Sequence, residues 1–322
     1  MFLSIIIPVY NVEPYIERCL QSVSQIDMNG NDFEVIIVND GTKDNSMAIV
    51  DDYTRKYSNF KSVNQKNKGL SGARNTGFKL SKGDYVWFVD SDDSVNPDVS
   101  LALERCKKSC PDVVMFDVRY IMKDGLSSIS KRGIDDRNQV YGGLEMLKKY
   151  GTSGVWSYFY RSTFLRENNI FFIEGRLHED DAYNIMVLSL AKQAIYINSC
   201  LYNYDRSREG SITNTFSIKR ITSYLENIDL YLDIADQSHF SVCDKAIICG
   251  RASALFNELL TISFSEDKER NKELITMICA HKKNIMRVLL TSGVKTYKLE
   301  SIALGISVRA AVGLYVGLRK RK

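Results

Sequence analysis

The chain has 322 residues, 44% of them apolar and 25% charged, a balance that excludes a disordered polypeptide and supplies one large core or two smaller ones. Four prolines and 19 glycines leave no flexible linker, and seven scattered cysteines without CxxC spacing indicate neither a zinc site nor a disulfide framework, which predicts a reduced, cytosolic chain. The net charge of +4 is unevenly placed: residues 281–322 hold ten Lys or Arg against the single acid Glu300, an excess of +9 that leaves −5 for everything before them.

Residues 2–10 (FLSIIIPVY) are apolar but have no basic stretch before them, and Asn11 and Glu13 follow, so they predict a first strand rather than a signal peptide. There follow a helix over 12–25, a strand at 33–39 (FEVIIVN), a helix near 44–57, a short strand near 60–65, a helix near 71–82 and a strand at 84–90 (DYVWFVD). Next come a helix near 97–109, capped by Asn96 with Pro97 at its first position, and a strand at 111–118 (PDVVMFDV). Strands joined by helical crossovers are parallel, and their nearly continuous apolar runs suit a sheet covered on both faces. The prediction is an α/β fold with a doubly wound, mostly parallel sheet flanked by helices. Residues 121–153 are polar and irregular, 154–205 return to mixed helix and strand, and the pattern is helical beyond about 217, which puts a soft boundary near 215.

In an open parallel sheet, ligands bind beyond the carboxyl ends of the strands. Those ends read Pro8-Val9-Tyr10-Asn11, Asn39-Asp40-Gly41-Thr42 and Asp90-Ser91-Asp92-Asp93. Neither GxGxxG nor GxxxxGK[ST] is present, so phosphate binding by a glycine-rich loop is not indicated. Three aspartates within residues 90–93 instead offer hard oxygen ligands suited to Mn²⁺ or Mg²⁺, which can in turn hold a diphosphate. The alternative is a simple turn leading into the next helix.

These segments together resemble family 2 glycosyltransferases. Ser4-Ile-Ile-Ile-Pro8-Val-Tyr-Asn11 is similar to the family's opening strand, and Phe33-Glu-Val-Ile-Ile-Val-Asn-Asp40-Gly41-Thr-Lys-Asp44-Asn-Ser46 to its second. Gln65-Lys-Asn67-Lys-Gly69-Leu-Ser-Gly-Ala73-Arg74-Asn75-Thr-Gly77 is similar to the third block, and Asp90-Ser-Asp92-Asp93 follows in order. Asn39-Asp40-Gly41-Thr42 stands where many relatives have Asp-Asp-Gly-Ser, which keeps the key acid. The resemblance implies a GT-A fold and an inverting transfer from a nucleotide-diphosphate sugar, with uridine favoured, to a glycan or lipid-linked acceptor, as in surface polysaccharide synthesis. On this mapping Pro8, Val9 and Tyr10 wall the base, Asp40 accepts from a base N–H and Arg74 lies near base and ribose. Asp90 and Ser91 contact the nucleotide, and Asp92 ligates the Mn²⁺ or Mg²⁺ that bridges the phosphates. Residues 1–120 would bind the donor, 121–215 would complete the acceptor and catalytic part, and 216–322 would form a helical C-terminal region.

A looser resemblance covers residues 154–215. Gly175-Arg-Leu-His178-Glu179-Asp180-Asp181 is similar to the family's Glu-Asp element, making Asp180 the general base and Glu179 its neighbour, with Asp181 the competing assignment. An acceptor hydroxyl must lose its proton during attack, and a positioned carboxylate takes it. The alternative is that these acids only stabilise the first turn of a helix. His178 is read as an acceptor or metal contact or as a structural histidine, and Trp156 as an acceptor-stacking or a core aromatic. Arg206 and Arg208 would close over the diphosphate, or stand as surface arginines, while Asp205 occupies a position where relatives often carry an aromatic or basic residue.

The competing functions are a nucleotide-sugar-binding protein without turnover and a sugar nucleotidyltransferase. Asp40, Asp90, Asp92 and Asp180 argue against the first, and Tyr10-Asn11-Val12-Glu13 stands where the second needs a basic glycine-rich loop. No nucleic-acid recognition motif accompanies the basic tail, and the sequence assigns no oligomeric state. Residues 301–318 (SIALGISVRAAVGLYVGL) are largely apolar, interrupted by Arg309 and followed by Arg319-Lys320-Arg321-Lys322. Such a segment is disfavoured as a membrane span and suits the surface of an anionic membrane, which predicts a peripheral protein on the cytosolic face. Packing of this terminal helix on the protein's own core is the alternative.

Overall fold

The β-branched run Ile5-Ile6-Ile7 lies in a central strand whose seven residues are all buried. The computed structural model describes residues 1–130, 139–207, 217–263 and 268–308. Its elements are β1 (Leu3–Val9), α1 (Glu13–Ser24), β2 (Phe33–Asn39), α2 (Ser46–Lys56), β3 (Phe60–Asn64), α3 (Gly69–Leu80), β4 (Tyr85–Phe88), β5 (Ser94–Val95), α4 (Ser100–Ser109), β6 (Val113–Ile121), β7 (Ser127–Ile129), α5 (Gly143–Tyr150), β8 (Tyr158–Arg161), α6 (Ser162–Glu167), α7 (Glu179–Leu190) and β9 (Ala194–Asp205). Four helices follow: α8 (Ile218–Ala235), α9 (Val242–Ser263), α10 (Lys268–Thr291) and α11 (Lys295–Ile306).

The strands form one sheet in the order β3-β2-β1-β4-β8-β6-β9-β5, with β7 on β6. β3, β2, β1 and β4 are mutually parallel, and Ile5 lies opposite Val35 on one side and Trp87 on the other. The short strands β5, β7 and β8 pair antiparallel with their neighbours. β5 and β7 follow the preceding strand with no helix between, and β8 runs antiparallel to β4 and β6 although α5 precedes it, so the crossover argument does not reach these strands and the whole sheet is mixed. Trp87 anchors the core with edge-on contacts to Phe116 at 5.6 Å and Phe159 at 5.1 Å, burial that contributes about 1.5–3 kcal/mol for each such side chain. α3 lies close on β1 because Gly77 has no side chain; a Cβ there would fall 2.4 Å from Ile6 Cγ2.

One local expectation fails. α4 begins at Ser100, and Asn96 does not cap it: the amides of Val99 and Ser100 both donate to Asp27 Oδ1 at 2.9 Å. Asn96 instead donates through Nδ2 to the Cys200 carbonyl at 2.9 Å and through its amide to that of Leu201 at 2.8 Å, tying β5 to β9. A cap supplied from 73 residues away has no local signature.

The chain divides into two compact units, Met1–Gly175 with Leu190–Ser211, and Arg176–Ser189 with Ile212–Lys322. α7 therefore groups with the C-terminal helices, although it precedes residue 215. Within that unit Ile221, Tyr224, Leu225, Ile228, Tyr231 and Leu232 form the buried stripe of α8. Ser217 caps α8, and Asp229 ties it to α10 through His281 at 2.8 Å and Asn284 at 2.9 Å.

Candidate active site

β2, β1 and β4 run side by side in one direction, so Asn39-Asp40, Pro8-Val9-Tyr10 and Val89-Asp90 emerge at one edge of the sheet. Pro8 and Val9 are buried while Tyr10 is 45% exposed. Asp40 is only 2% exposed, with its amide on the Val9 carbonyl and its Oδ1 accepting from Gln65 Nε2 at 2.7 Å and the Lys68 amide at 2.8 Å. Gln65 is held in turn by Thr76 at 2.6 Å. Among the described residues both donors to Asp40 are on Oδ1, and Oδ2 is not one of the buried atoms without a partner, so this oxygen is open to solvent or to a ligand donor.

Behind this edge Asn11, with φ +53°, and Gly41, with φ +75°, turn the chain out of β1 and β2 in left-handed conformations. Asp44 joins the two turns, accepting from Thr42 Oγ1 at 2.7 Å, Ser46 Oγ at 2.6 Å and the Glu13 amide at 2.8 Å, while Thr42 accepts from the Asn11 amide at 2.7 Å. Burial works to raise the pKa of Asp44, but the donors from Ser46, Glu13 and Thr42 prevail and hold it at about 2. Gln65 and Asp44 were not among the residues assigned from sequence. Both lie inside the quoted blocks, and their position there was the available signal.

The acid cluster separates into three environments. Arg74, 2% exposed, pairs with Asp90 at 2.5 Å and lies over the Phe172 ring at 5.2 Å. Asp93 is buried and accepts from Tyr202 Oη at 2.6 Å and the Asp205 amide at 2.8 Å; burial, with Asp92 and Asp90 nearby, pushes its pKa well up. Ser91 is buried, and Asp92 stands part-exposed between these two anchored acids. The donor set fits a hard divalent cation at Asp92, where a carboxylate oxygen ligand borders solvent.

In the other unit, Glu179, Asp180 and Asp181 form the first turn of α7, and Asp180 Oδ1 accepts from the Asp181 amide at 3.0 Å. Ligand atoms of His178, Asp180 and Asp181 lie within 4.8 Å of one another. Two guanidiniums already serve this cluster: Arg220 Nε donates to His178 Nε2 at 3.1 Å, and Arg251 pairs with Asp181 at 2.7 Å. Burial and then Arg220 lower the His178 pKa against the pull of Asp181, and its φ of +55° is held by Asn227 donating to its carbonyl at 3.0 Å. This favours a structural histidine over a metal ligand, because the protein's own cations occupy the place.

Two aromatic and basic expectations take definite form. Trp156 is 8% exposed and stacks on Tyr202 at 4.9 Å and Tyr204 at 5.1 Å, which favours the core alternative over acceptor stacking. Arg206 is exposed and lies over the Tyr120 ring at 4.6 Å. Arg208 lies outside the described residues, as do residues 309–322 of the basic tail.

The sequence pattern described as Glycosyl transferase family 2 matches residues 4–168. The uncharacterized glycosyltransferase EpsJ of Bacillus subtilis (strain 168) is 33% identical over 219 residues, which is 65% of this chain and 62% of that protein. The crystal structure of S. aureus TarS 1–349 in complex with UDP-GlcNAc superposes with a TM-score of 0.78 at 20% identity, covering 100% of this chain and 93% of that one. Mannosyltransferase PcManGT from Pyrobaculum calidifontis, in complex with GDP-Man and Mn²⁺, gives 0.57 at 14% identity over 98% and 86% of the two chains. At these identities the two structures establish the shared fold.

Proposed function

The chain belongs to glycosyl transferase family 2, and from that premise we propose that it moves one sugar from a UDP-sugar to a hydroxyl of a glycan or lipid-linked acceptor in surface polysaccharide synthesis, with inversion at the anomeric carbon. The observation that carries this reading is the shared edge of β2, β1 and β4, which gathers Asp40, held through one oxygen by Gln65 and Lys68, the Arg74–Asp90 pair and part-exposed Asp92. The UDP-GlcNAc bound to TarS supports the choice of nucleotide.

In this mechanism Tyr10 faces the base at the strand end formed by Pro8 and Val9, whose side chains are buried, and Asp40 Oδ2 accepts its N–H while Gln65 and Lys68 hold the other oxygen. Arg74 neutralises part of the acid cluster, so Asp90 can accept from a ribose hydroxyl, with Ser91 beside it. Asp92 is the residue that would hold Mn²⁺ or Mg²⁺, and such a cation neutralises charge on a departing diphosphate. The Mn²⁺ bound to PcManGT supports that choice of metal. Asp180 takes the acceptor proton as the new C–O bond forms and the bond to the diphosphate oxygen breaks. Glu179 adjoins it, and Arg206 and Arg208 would pair with phosphate oxygens.

The reading extends to a lipid surface. On α11 Leu299, Ile302 and Ile306 are 66%, 58% and 80% exposed at helical spacing, and Lys295 and Lys298 stand exposed one turn earlier. An apolar stripe flanked by lysines is complementary to anionic lipid. No helix among the described residues is long and apolar enough to cross a membrane.

Thermal shift against nucleotide sugars with Mn²⁺ tests the reading. A UDP-sugar should raise the Tm by mass action, and Asp40→Ala should abolish that rise. A rise with no UDP-sugar, or an undiminished rise in Asp40→Ala, would overturn the donor assignment.

A further inference from the structure

Arg18, on α1, reaches two partners at the acid cluster. Its Nη1 pairs with Asp205 Oδ2 at 2.5 Å, and its Nη2 donates to the backbone carbonyl of Asp92 at 2.6 Å. Asp205 ends β9 and is 8% exposed; its Oδ1 accepts from the Ser207 amide at 2.8 Å and Ser207 Oγ at 2.5 Å, and its own amide donates to Asp93 at 2.8 Å. Tyr202 Oη donates to the other Asp93 oxygen and accepts from the Asp90 amide at 3.2 Å. The turn at 90–93 is thus grasped from two directions, through Asp93 by β9 and through the Asp92 carbonyl by α1.

We propose that Arg18 and Asp205 are positioning residues that orient Asp92 for its divalent cation, a proposal that rests on the reading of Asp92 as cation ligand. Arg18 is directed at the carbonyl of Asp92, and Asp205 balances its charge. A guanidinium beside a metal-binding carboxylate would otherwise compete with the cation, so Asp205 keeps Arg18 in a role that does not oppose binding. As an ordinary ion pair, with Arg18 47% exposed, the contact would contribute only about 0–1 kcal/mol to folding. Its geometric effect is separable from that, because groups that orient metal ligands influence affinity far more than stability.

The test is Mn²⁺ binding to the full chain with UDP present, followed by electron paramagnetic resonance of free Mn²⁺, for wild type, Arg18→Met, Arg18→Lys, Asp205→Asn and Asp92→Asn. Arg18→Met and Asp205→Asn should each weaken Mn²⁺ binding about tenfold, and Asp92→Asn more. Arg18→Lys, which can keep the ion pair but not both contacts, should fall between. UDP affinity in EDTA should stay within about twofold, and the Tm within about 2 °C, of wild type. Unchanged Mn²⁺ affinity in Arg18→Met and Asp205→Asn, with a loss in Asp92→Asn, would overturn the positioning role alone. Equal weakening of UDP binding in EDTA would also overturn it, as general damage to the site. If Asp92→Asn binds Mn²⁺ like wild type, the cation assignment fails and the positioning role falls with it. Should Arg18→Met not fold, Asp205→Asn and Arg18→Lys decide by the same criteria.

Discussion

Arg251, on α9, closes an ion pair of 2.7 Å on Asp181 in the first turn of α7, and Tyr231 donates to the Asp181 carbonyl at 3.2 Å. The Asp181 side chain is 13% exposed, so the pair is largely removed from water. Burial lowers the pKa of Arg251, but Asp181 outweighs it and raises the pKa overall, which keeps the guanidinium charged. Asp181 therefore has a structural task, and this favours its neighbour Asp180 as base.

Asp180→Asn should lower kcat by about 10²–10⁴-fold while UDP affinity changes little, because the lost interaction belongs to the transition state. Asp181→Asn should instead lower stability by about 3 kcal/mol by stranding Arg251. Steady-state kinetics and denaturant titration of both variants decide. A normally stable Asp181→Asn with abolished kcat would shift the base by one residue.

Trp156→Ala should destabilise the protein by about 3–5 kcal/mol through loss of the stack with Tyr202 and Tyr204. Chemical denaturation reads this directly. Unchanged stability with a raised KM for acceptor alone would restore the acceptor-stacking role.

Asp44 contributes to stability in a pH window set by its depressed pKa. Its value moves from 3.8 to about 2 on folding, so its contribution is complete above the unfolded pKa and is lost as pH falls through the folded one. The stability difference between wild type and Asp44→Asn should be full at about pH 7 and reduced by about half at about pH 3. A difference that stays constant over this range would show that the carboxylate is not the source.

Wild-type protein should pellet with phosphatidylglycerol vesicles at low salt and be released by about 0.5 M NaCl. Replacing Leu299, Ile302 and Ile306 with Gln should leave the protein in the supernatant with an undiminished Tm, since all three side chains are exposed. Wild type that never pellets, or a triple variant that pellets equally, would remove the lipid surface from the proposal.

Much of the parallel half was legible in the chain. Phe33–Asn39 forms the strand read from FEVIIVN, and the other early boundaries shift by at most three residues. These segments follow local periodicity, which depends on neighbours in sequence. β5 and β7 were not legible as separate strands because two and three residues are too short to show a period, and β8 lies in a stretch where strand and helix alternate too closely to separate. In the site, Asp40, Arg74 and Asp90 were nameable because residue type and order carry the resemblance. Gln65 behind Asp40 and Arg18 beside Asp92 were not, because a glutamine or arginine has no distinctive spacing.

The sequence by itself determined the alternation of strands and helices, the polar ends of β1, β2 and β4, and the acids from which a donor site is built. Only tertiary structure decided the surroundings of each acid. Asp90, Asp92 and Asp93 are chemically identical and adjacent in the chain, yet Arg74 pairs with the first and Tyr202 buries the third, leaving Asp92 at the solvent border. The partners come from α3 and β9, 16 and 109 residues away, and a carboxylate's role follows from the charges, donors and burial around it.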